Sequence, residues 1–273
     1  MTSIFHPELF KDKIAFVTGG GSGINRGIVE AFLRHGMKVA ISSRSQERLD
    51  KAATEMQEQT GSEVLAIAAD VRQYDAVEAA INATVEHWGG IDVVVNGAAG
   101  NFMVPAAHMS ANAFRTVIDI DLNGTFNVSR AAFATLEARQ GNIINISAVQ
   151  AAHPMPFQAH VGAAKAGIEN LTRSLASEWG GRGIRVNAIV PGPIAGTEGV
   201  DRILGQFNLV EQVEGTIPLR RFGTVEEIGN CALFLASPAA AYITGAILVC
   251  DGGQHMVNYG PMLGVMRQVD PKL

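Results

Sequence analysis

Short, mostly apolar runs alternate along this chain with longer segments whose apolar positions recur every three or four residues. The runs at 14–18, 38–42, 64–69, 91–96, 141–147, 184–190 and 246–249 predict buried strands. The amphipathic segments at 24–35, 46–59, 74–88, 111–138 and 159–179 predict helices between them. Strands that are apolar along most of their length must be covered on both faces, which calls for a parallel sheet with helices above and below. The alternation continues without a linker or a low-complexity break. It predicts an α/β fold, a single doubly wound Rossmann-type parallel sheet with helices on both faces, and one domain over 1–273. The segment 191–224 has no strong period and opens on Pro191-Gly192-Pro193, as expected of a mobile lid over a site.

Composition narrows the reading without changing it. Of 273 residues, 47% are hydrophobic and 17% charged, enough for one large core. A net charge of −5 gives no reason to expect nucleic acid or an anionic membrane as partner. Cys231 and Cys250 match no metal-ligand spacing and fit reduced thiols, and no metal is expected. No run is long enough to span a membrane, and the first residues lack the basic start and apolar stretch of a secretory signal. The expected compartment is the cytoplasm. The ending Pro271-Lys272-Leu273 loosely resembles a peroxisomal address, which makes the peroxisome the alternative.

The first strand runs into Thr18-Gly19-Gly20-Gly21-Ser22-Gly23-Ile24, just ahead of a helix. Glycines there let backbone approach a pyrophosphate, and the helix start offers free N–H groups and a positive dipole end. The second strand ends in Ser42-Ser43-Arg44-Ser45. A carboxylate at that place would bond a ribose 2′-hydroxyl, whereas Ser43 and Arg44 suit a 2′-phosphate, so NADP(H) is expected over NAD(H). Asp70 and Val71 are placed for adenine, Asn96 and Ala98 for the adenine ribose, and Pro191, Gly192 and Ile194 for the nicotinamide.

These residues resemble the short-chain dehydrogenase/reductase family over nearly the whole chain. The chain departs from that family's pattern at four places. Asn25 stands for the last glycine of the phosphate loop, and Gly97 for the second asparagine of an Asn-Asn-Ala-Gly motif. Ala148 stands for the catalytic serine, with Ser147 out of register. Val161, four residues before Lys165, stands for the catalytic tyrosine. The three tyrosines, Tyr74, Tyr242 and Tyr259, all lie elsewhere in the sequence. A valine donates no proton, so the family's ordinary ketone chemistry is not expected. By resemblance Lys165 bonds the nicotinamide ribose, and Asp121 takes a place usually held by asparagine, facing the cofactor and the lysine.

The replacements resemble those of the 2,4-dienoyl-CoA reductase branch, particularly its peroxisomal type. The matching stretches are Gly97 to Phe102, Asp119 to Asp121, His160 to Lys165, and Pro191 to Gly199. The resemblance implies NADPH-dependent reduction of a trans-2,4-dienoyl-CoA to a 3-enoyl-CoA, as in unsaturated fatty-acid β-oxidation. It implies a water held by Asp121 and Asp251 that protonates the α carbon, the two carboxyl groups sharing a proton. Arg72, Phe102, Ser110, Asn112 and Arg202 are the implied acyl-CoA contacts, and a homotetramer is the implied assembly, with 111–138 and 159–179 as interface helices. Asp251 reads equally as a turn residue before two glycines, and His160 as a structural histidine rather than a proton donor. A trans-2-enoyl-CoA reductase and a non-catalytic NADP(H)-binding sensor are the other readings.

Overall fold

The computed structural model describes residues 4–197, 200, 210–256, 266–268 and 270. Seven strands form one sheet in the order β3-β2-β1-β4-β5-β6-β7, every pair parallel. They are β1 (Ile14–Thr18), β2 (Lys38–Ser43), β3 (Val64–Ala68), β4 (Val93–Asn96), β5 (Asn142–Ile146), β6 (Arg185–Pro191) and β7 (Ile247–Cys250). The expected strands all form, with ends shifted by one or two residues. The order reverses between β1 and β4, so a crevice opens beyond their carboxyl ends.

Alternate residues of each strand feed two cores. Val17, Val95 and Ile144 pack with α1 (Gly23–Arg34) and α2 (Gln46–Thr60) on one face. Phe16, Val94 and Ile143 pack with α3 (Tyr74–Trp88) and the helices that follow β4 on the other. Each such buried side chain contributes roughly 1.5–3 kcal/mol of transfer free energy, which is why the apolar runs hold the sheet centre.

The segment 111–138 is not one helix. It divides into α4 (Ala111–Ile118), a π-helical turn at Asp119–Asn123, α5 (Gly124–Ala131) and α6 (Phe133–Arg139). At Gly124 a Cβ would lie 2.6 Å from Val71 Cγ2, so α5 seats directly against the turn between β3 and α3. The wider turn before it carries Asp121 inward to full burial. The helix α7 (Ala159–Trp179) forms as expected.

No helix was expected between 191 and 246, yet α8 (Val210–Glu214) and α9 (Val225–Ala236) both form. The signal for α9 is the pattern Thr224-Val225-Glu226-Glu227. Thr224 accepts from the Glu227 N–H at 3.2 Å, and Glu227 accepts from the Thr224 N–H at 2.9 Å, closing a capping box. Of the expected lid, residues 198–199 and 201–209 lie outside the described residues. The stretch after β6 is tied down by Ala195 N–H donating to the Gly223 carbonyl and Gly223 N–H donating to that of Pro193. Val213, Ile217 and Phe222 form a small core of their own beside it.

Candidate active site

A cleft of 760 Å³ lies at the carboxyl ends of the strands, over the point where their order reverses. Gly19, Gly21, Ser22, Gly23 and Ile24 form one wall, and Ser43, Arg44, Asp70, Val71 and Ala98 continue it. Lys165, Pro191, Gly192 and Ile194 line the other end. The expected dinucleotide residues therefore converge from five separate loops. The backbone at Gly19 and Gly23 has φ of +69° and +55°, and a Cβ at Gly23 would meet nothing within 4 Å. Ser22, at the start of α1, makes no side-chain cap bond, and the first turn carries no acidic residue. Those helical N–H groups are left for an anion, and the bare loop leaves room for a pyrophosphate beside them.

Two expected cofactor residues face elsewhere. Gly20 is buried against β2, where a Cβ would lie 2.7 Å from Ile41 Cγ2. Asn96 is buried too. Its Nδ2 donates to Ser129 Oγ at 3.0 Å and Asn145 Oδ1 at 2.8 Å, tying β4 to β5 and α5. Both shape the site from beneath. Arg48, which the sequence reading passed over, lines the cleft together with Arg44. It follows Arg44 by four residues, and its N–H is held by Ser45 Oγ at the start of α2. Asp70 is gripped by Arg72 through both carboxylate oxygens, at 3.0 and 2.5 Å, and that guanidinium holds its carboxyl below the usual range.

At the far end of the cleft Lys165 lines the wall, and Asp121 lies behind it without lining the cleft. Asp121 is wholly buried; its Oδ1 accepts from the Gly100 N–H at 2.7 Å. Lys165 Nζ donates to the Ile146 carbonyl at 2.9 Å and sits 3.3 Å from Asp121 Oδ2. That second approach is an ion-pair distance without hydrogen-bond geometry, so Oδ2 is a buried acceptor with no hydrogen-bond partner. Val161 does not line the cleft. It is buried in a small cluster with Val117 and Ala164, between α4 and α7. Ala148 does line it, as does Ser147, whose hydroxyl donates to Glu169 at 3.0 Å. The geometry thus holds an ammonium–carboxylate pair and no hydroxyl acid where the sequence departs from its family.

The two expected carboxylates have different partners. Asp251 accepts from the Gly253 N–H at 2.8 Å, the His255 N–H at 2.6 Å and His255 Nδ1 at 2.8 Å, so both its oxygens serve the turn after β7. Sharing of one proton between Asp121 and Asp251 has no counterpart in these contacts. Gln254 from that same turn reaches the cleft instead.

His160 is fully buried, its ring 4.3 Å from that of Phe102. Burial pushes its pKa below the ordinary histidine value, against the opposing pull of Asp121. Neither ring nitrogen forms a hydrogen bond of good geometry, although the Phe102 backbone lies near enough to favour the charged form. Ser110 caps α4 by accepting from the Ala113 N–H at 3.1 Å, and Asn112 is exposed in the first turn. Arg72 lines a neighbouring groove with Asp119 and Phe126 rather than the cleft. Arg202 lies outside the described residues. A chain of amides was missed: Gln150 donates to Gln158 at 2.8 Å, and Gln158 donates to Asn101 at 3.1 Å. Gln150 and Asn101 both line the cleft. Amides scattered over three loops give no sequence periodicity by which to find them.

A family model described as enoyl-(acyl carrier protein) reductase matches residues 19–255. A peroxisomal 2,4-dienoyl-CoA reductase of Danio rerio is 42% identical over all of this chain and 92% of its own. One from Pongo abelii is 47% identical over 92% of this chain and 86% of its own. A short chain dehydrogenase from Bacillus anthracis superposes with a TM-score of 0.81 at 41% identity, over 90% of this chain and 98% of that one. A gluconate 5-dehydrogenase from Burkholderia cenocepacia, solved with NADP and tartrate, gives 0.85 at 28% identity, over 91% of this chain and 98% of that one. With the strand order, the glycine loop and the lysine all in place, the chain belongs to the short-chain dehydrogenase/reductase family.

Proposed function

We propose that this protein is an NADPH-dependent reductase of trans-2,4-dienoyl-CoA thioesters, yielding the 3-enoyl-CoA. The observation that carries it is Asp121: a buried carboxylate with one oxygen fixed by Gly100 and the other 3.3 Å from Lys165 Nζ without a hydrogen-bond partner, on a site where Val161 stands for the family's phenol. The names borne by relatives at 42% and 47% identity support the same substrate. Arg44 and Arg48 on the cleft wall suit the 2′-phosphate.

NADPH, when bound, supplies a hydride to the δ carbon. Electrons then move through the diene: a 3,4 double bond forms, and negative charge collects on the thioester enolate. The charge arises several bonds from the carbon attacked, so a proton donor set against that carbon has no role. Lys165, held by the Ile146 carbonyl, offers a positive charge to the enolate side of the reaction. Asp121 Oδ2, buried and without a hydrogen-bond partner, accepts from a water that gives its other proton to the α carbon, and the hydroxide left behind takes a proton from the solvent of the cleft. Gly100 fixes the carboxylate through its other oxygen, so that acceptor is pre-positioned. Asp251 and His255 brace the turn that presents Gln254. Phe102, Ser110 and Asn112 are proposed to meet the acyl-CoA on the α4 side, with Arg72 in the adjoining groove and Arg202 as further contacts.

Purified protein is expected to consume NADPH in preference to NADH with 2,4-hexadienoyl-CoA and to leave simple ketones untouched. A second reading, reduction of a trans-2-enoyl thioester, draws on the description of the matching family model. Crotonyl-CoA assayed beside the diene separates the two. Absence of turnover with any dienoyl-CoA overturns the proposal, and NADPH binding without any turnover would favour a sensor. The tetramer is proposed from family membership, and sedimentation tests it. For the compartment, the cytoplasm and the peroxisome are the two readings, and the names of the relatives favour the peroxisome; a fluorescent fusion with a free C-terminus decides between them.

A further inference from the structure

We infer that Asn25 and Gly97 are one positioning device for the cofactor: the Asn25 carboxamide fills the space of the side chain that position 97 lacks and clamps the phosphate loop to the loop after β4. The two residues lie 72 positions apart, and Asn25 Nδ2 donates to the Gly97 carbonyl at 2.8 Å. A Cβ built on Gly97 would lie 2.1 Å from Asn25 Oδ1 and 2.3 Å from its Cγ, closer than atoms can pack. A Cβ on Gly19 would lie 2.9 Å from Asn25 Nδ2 and 3.2 Å from the Gly97 carbonyl oxygen. The carboxamide thus occupies a slot that exists only because both neighbours are glycine. Both sequence departures in the cofactor loops, at 25 and at 97, meet in this slot.

The clamp has a counterpart on the other side. Thr18 Oγ1, at the end of β1, accepts from the Gly97 N–H at 3.0 Å and the Ala98 N–H at 3.1 Å. The short stretch 97–98 therefore has its N–H groups held by β1 and its carbonyl held by α1. Gly19, Asn25, Gly97 and Ala98 all line the cleft. The spacing between the two loops that flank a dinucleotide is set by these bonds. The clamp carries one uncompensated group, since Asn25 Oδ1 is buried without a hydrogen-bond partner. A conformation kept despite an unsatisfied acceptor is one whose other bond matters.

The inference does not depend on which thioester is reduced. Its test is a double-mutant cycle on the full chain: Asn25→Gly, Gly97→Ala and the two combined. The readouts are NADPH dissociation by fluorescence, apo-protein thermal unfolding, and the split between kcat and KM for NADPH. Loss of the clamp bond in Asn25→Gly is expected to raise the NADPH Kd about two- to twelvefold, with kcat at saturating NADPH within about twofold. Gly97→Ala, which drives a methyl into the carboxamide, is expected to raise it by about tenfold or more. The combined variant is expected to return to within about threefold of Asn25→Gly, because the obstruction is gone. Multiplicative effects, or a combined variant no better than Gly97→Ala, overturn the inference, as does Asn25→Gly binding NADPH like the parent. If Gly97→Ala is insoluble, a soluble combined variant supports the inference and an insoluble one overturns it.

Discussion

Replacing Asp121 by asparagine changes one atom's chemistry and almost nothing else. The side chain is wholly buried, and an asparagine carbonyl can still accept from the Gly100 N–H that now lies 2.7 Å from Oδ1. What disappears is the negative oxygen 3.3 Å from Lys165 Nζ, replaced by an NH2 that cannot accept. If that oxygen handles the proton for the α carbon, its loss costs about a hundred- to ten-thousandfold in kcat, or roughly 3–5 kcal/mol of barrier. Breaking a buried pair from one side costs about 3–5 kcal/mol of stability. Here the cost is smaller, about 1–3 kcal/mol, because Lys165 keeps its bond to the Ile146 carbonyl and borders the open cleft. The expected outcome is a folded protein that binds NADPH within about threefold of the parent yet turns over dienoyl-CoA at least about a hundredfold more slowly. Asp121→Ala should lose a further ~1–3 kcal/mol of stability, since it also orphans the Gly100 N–H. NADPH oxidation under saturating substrates, with thermal unfolding alongside, measures both effects. An asparagine variant that retains more than about a tenth of the parent kcat refutes the role given to this oxygen.

Restoring the tyrosine is expected to fail. Val161→Tyr forces a ring into the buried Val117–Ala164 cluster, losing about 1–3 kcal/mol of stability by thermal unfolding. It should confer no ketone reduction, because Ala148 supplies no hydroxyl partner. A measurable ketone reductase rate would contradict the site geometry. Glu227, held by Arg221 at 2.6 Å, has its carboxyl lowered from 4.5 to about 2, with that hydrogen bond as the main cause. A depressed carboxyl stabilises the fold above pH 4.5 and loses that contribution as pH falls toward about 2. For a fully shielded group the shift would correspond to about 3 kcal/mol, but Glu227 and Arg221 have 39% and 51% of their side chains exposed. We therefore expect Glu227→Gln to cost about 1 kcal/mol at pH 7, the gap from the parent closing in acid. A pH-independent gap in urea unfolding would point to the capping box alone.

How far the sequence carries can be judged residue by residue. Apolar runs and helical periods placed every strand of the sheet, because burial on both faces demands them locally. The glycine loop and Arg44 were legible from their position at strand ends, and Lys165, inside α7, from its resemblance to the family pattern. The segment 111–138 is broken by the π turn at Asp119–Asn123, next to the place where Gly124 packs closely on Val71, a contact between distant segments that no local pattern encodes. Gly20 and Asn96 belonged to the right motifs but point into the protein, since motif spacing does not fix which way a loop residue faces.

The amino-acid order by itself determined the doubly wound sheet, the dinucleotide crevice at its reversal point and the loss of the family's tyrosine four residues before Lys165. Only the tertiary structure decided how the buried polar groups of the site are partnered. Asp121 meets Lys165 because a widened helical turn swings inward, Asp251 turns to His255, and Asn25 locks against Gly97. Local patterns encode which face of an element is apolar, whereas the partner of a buried polar atom is chosen by which distant loop arrives within about 3 Å of it.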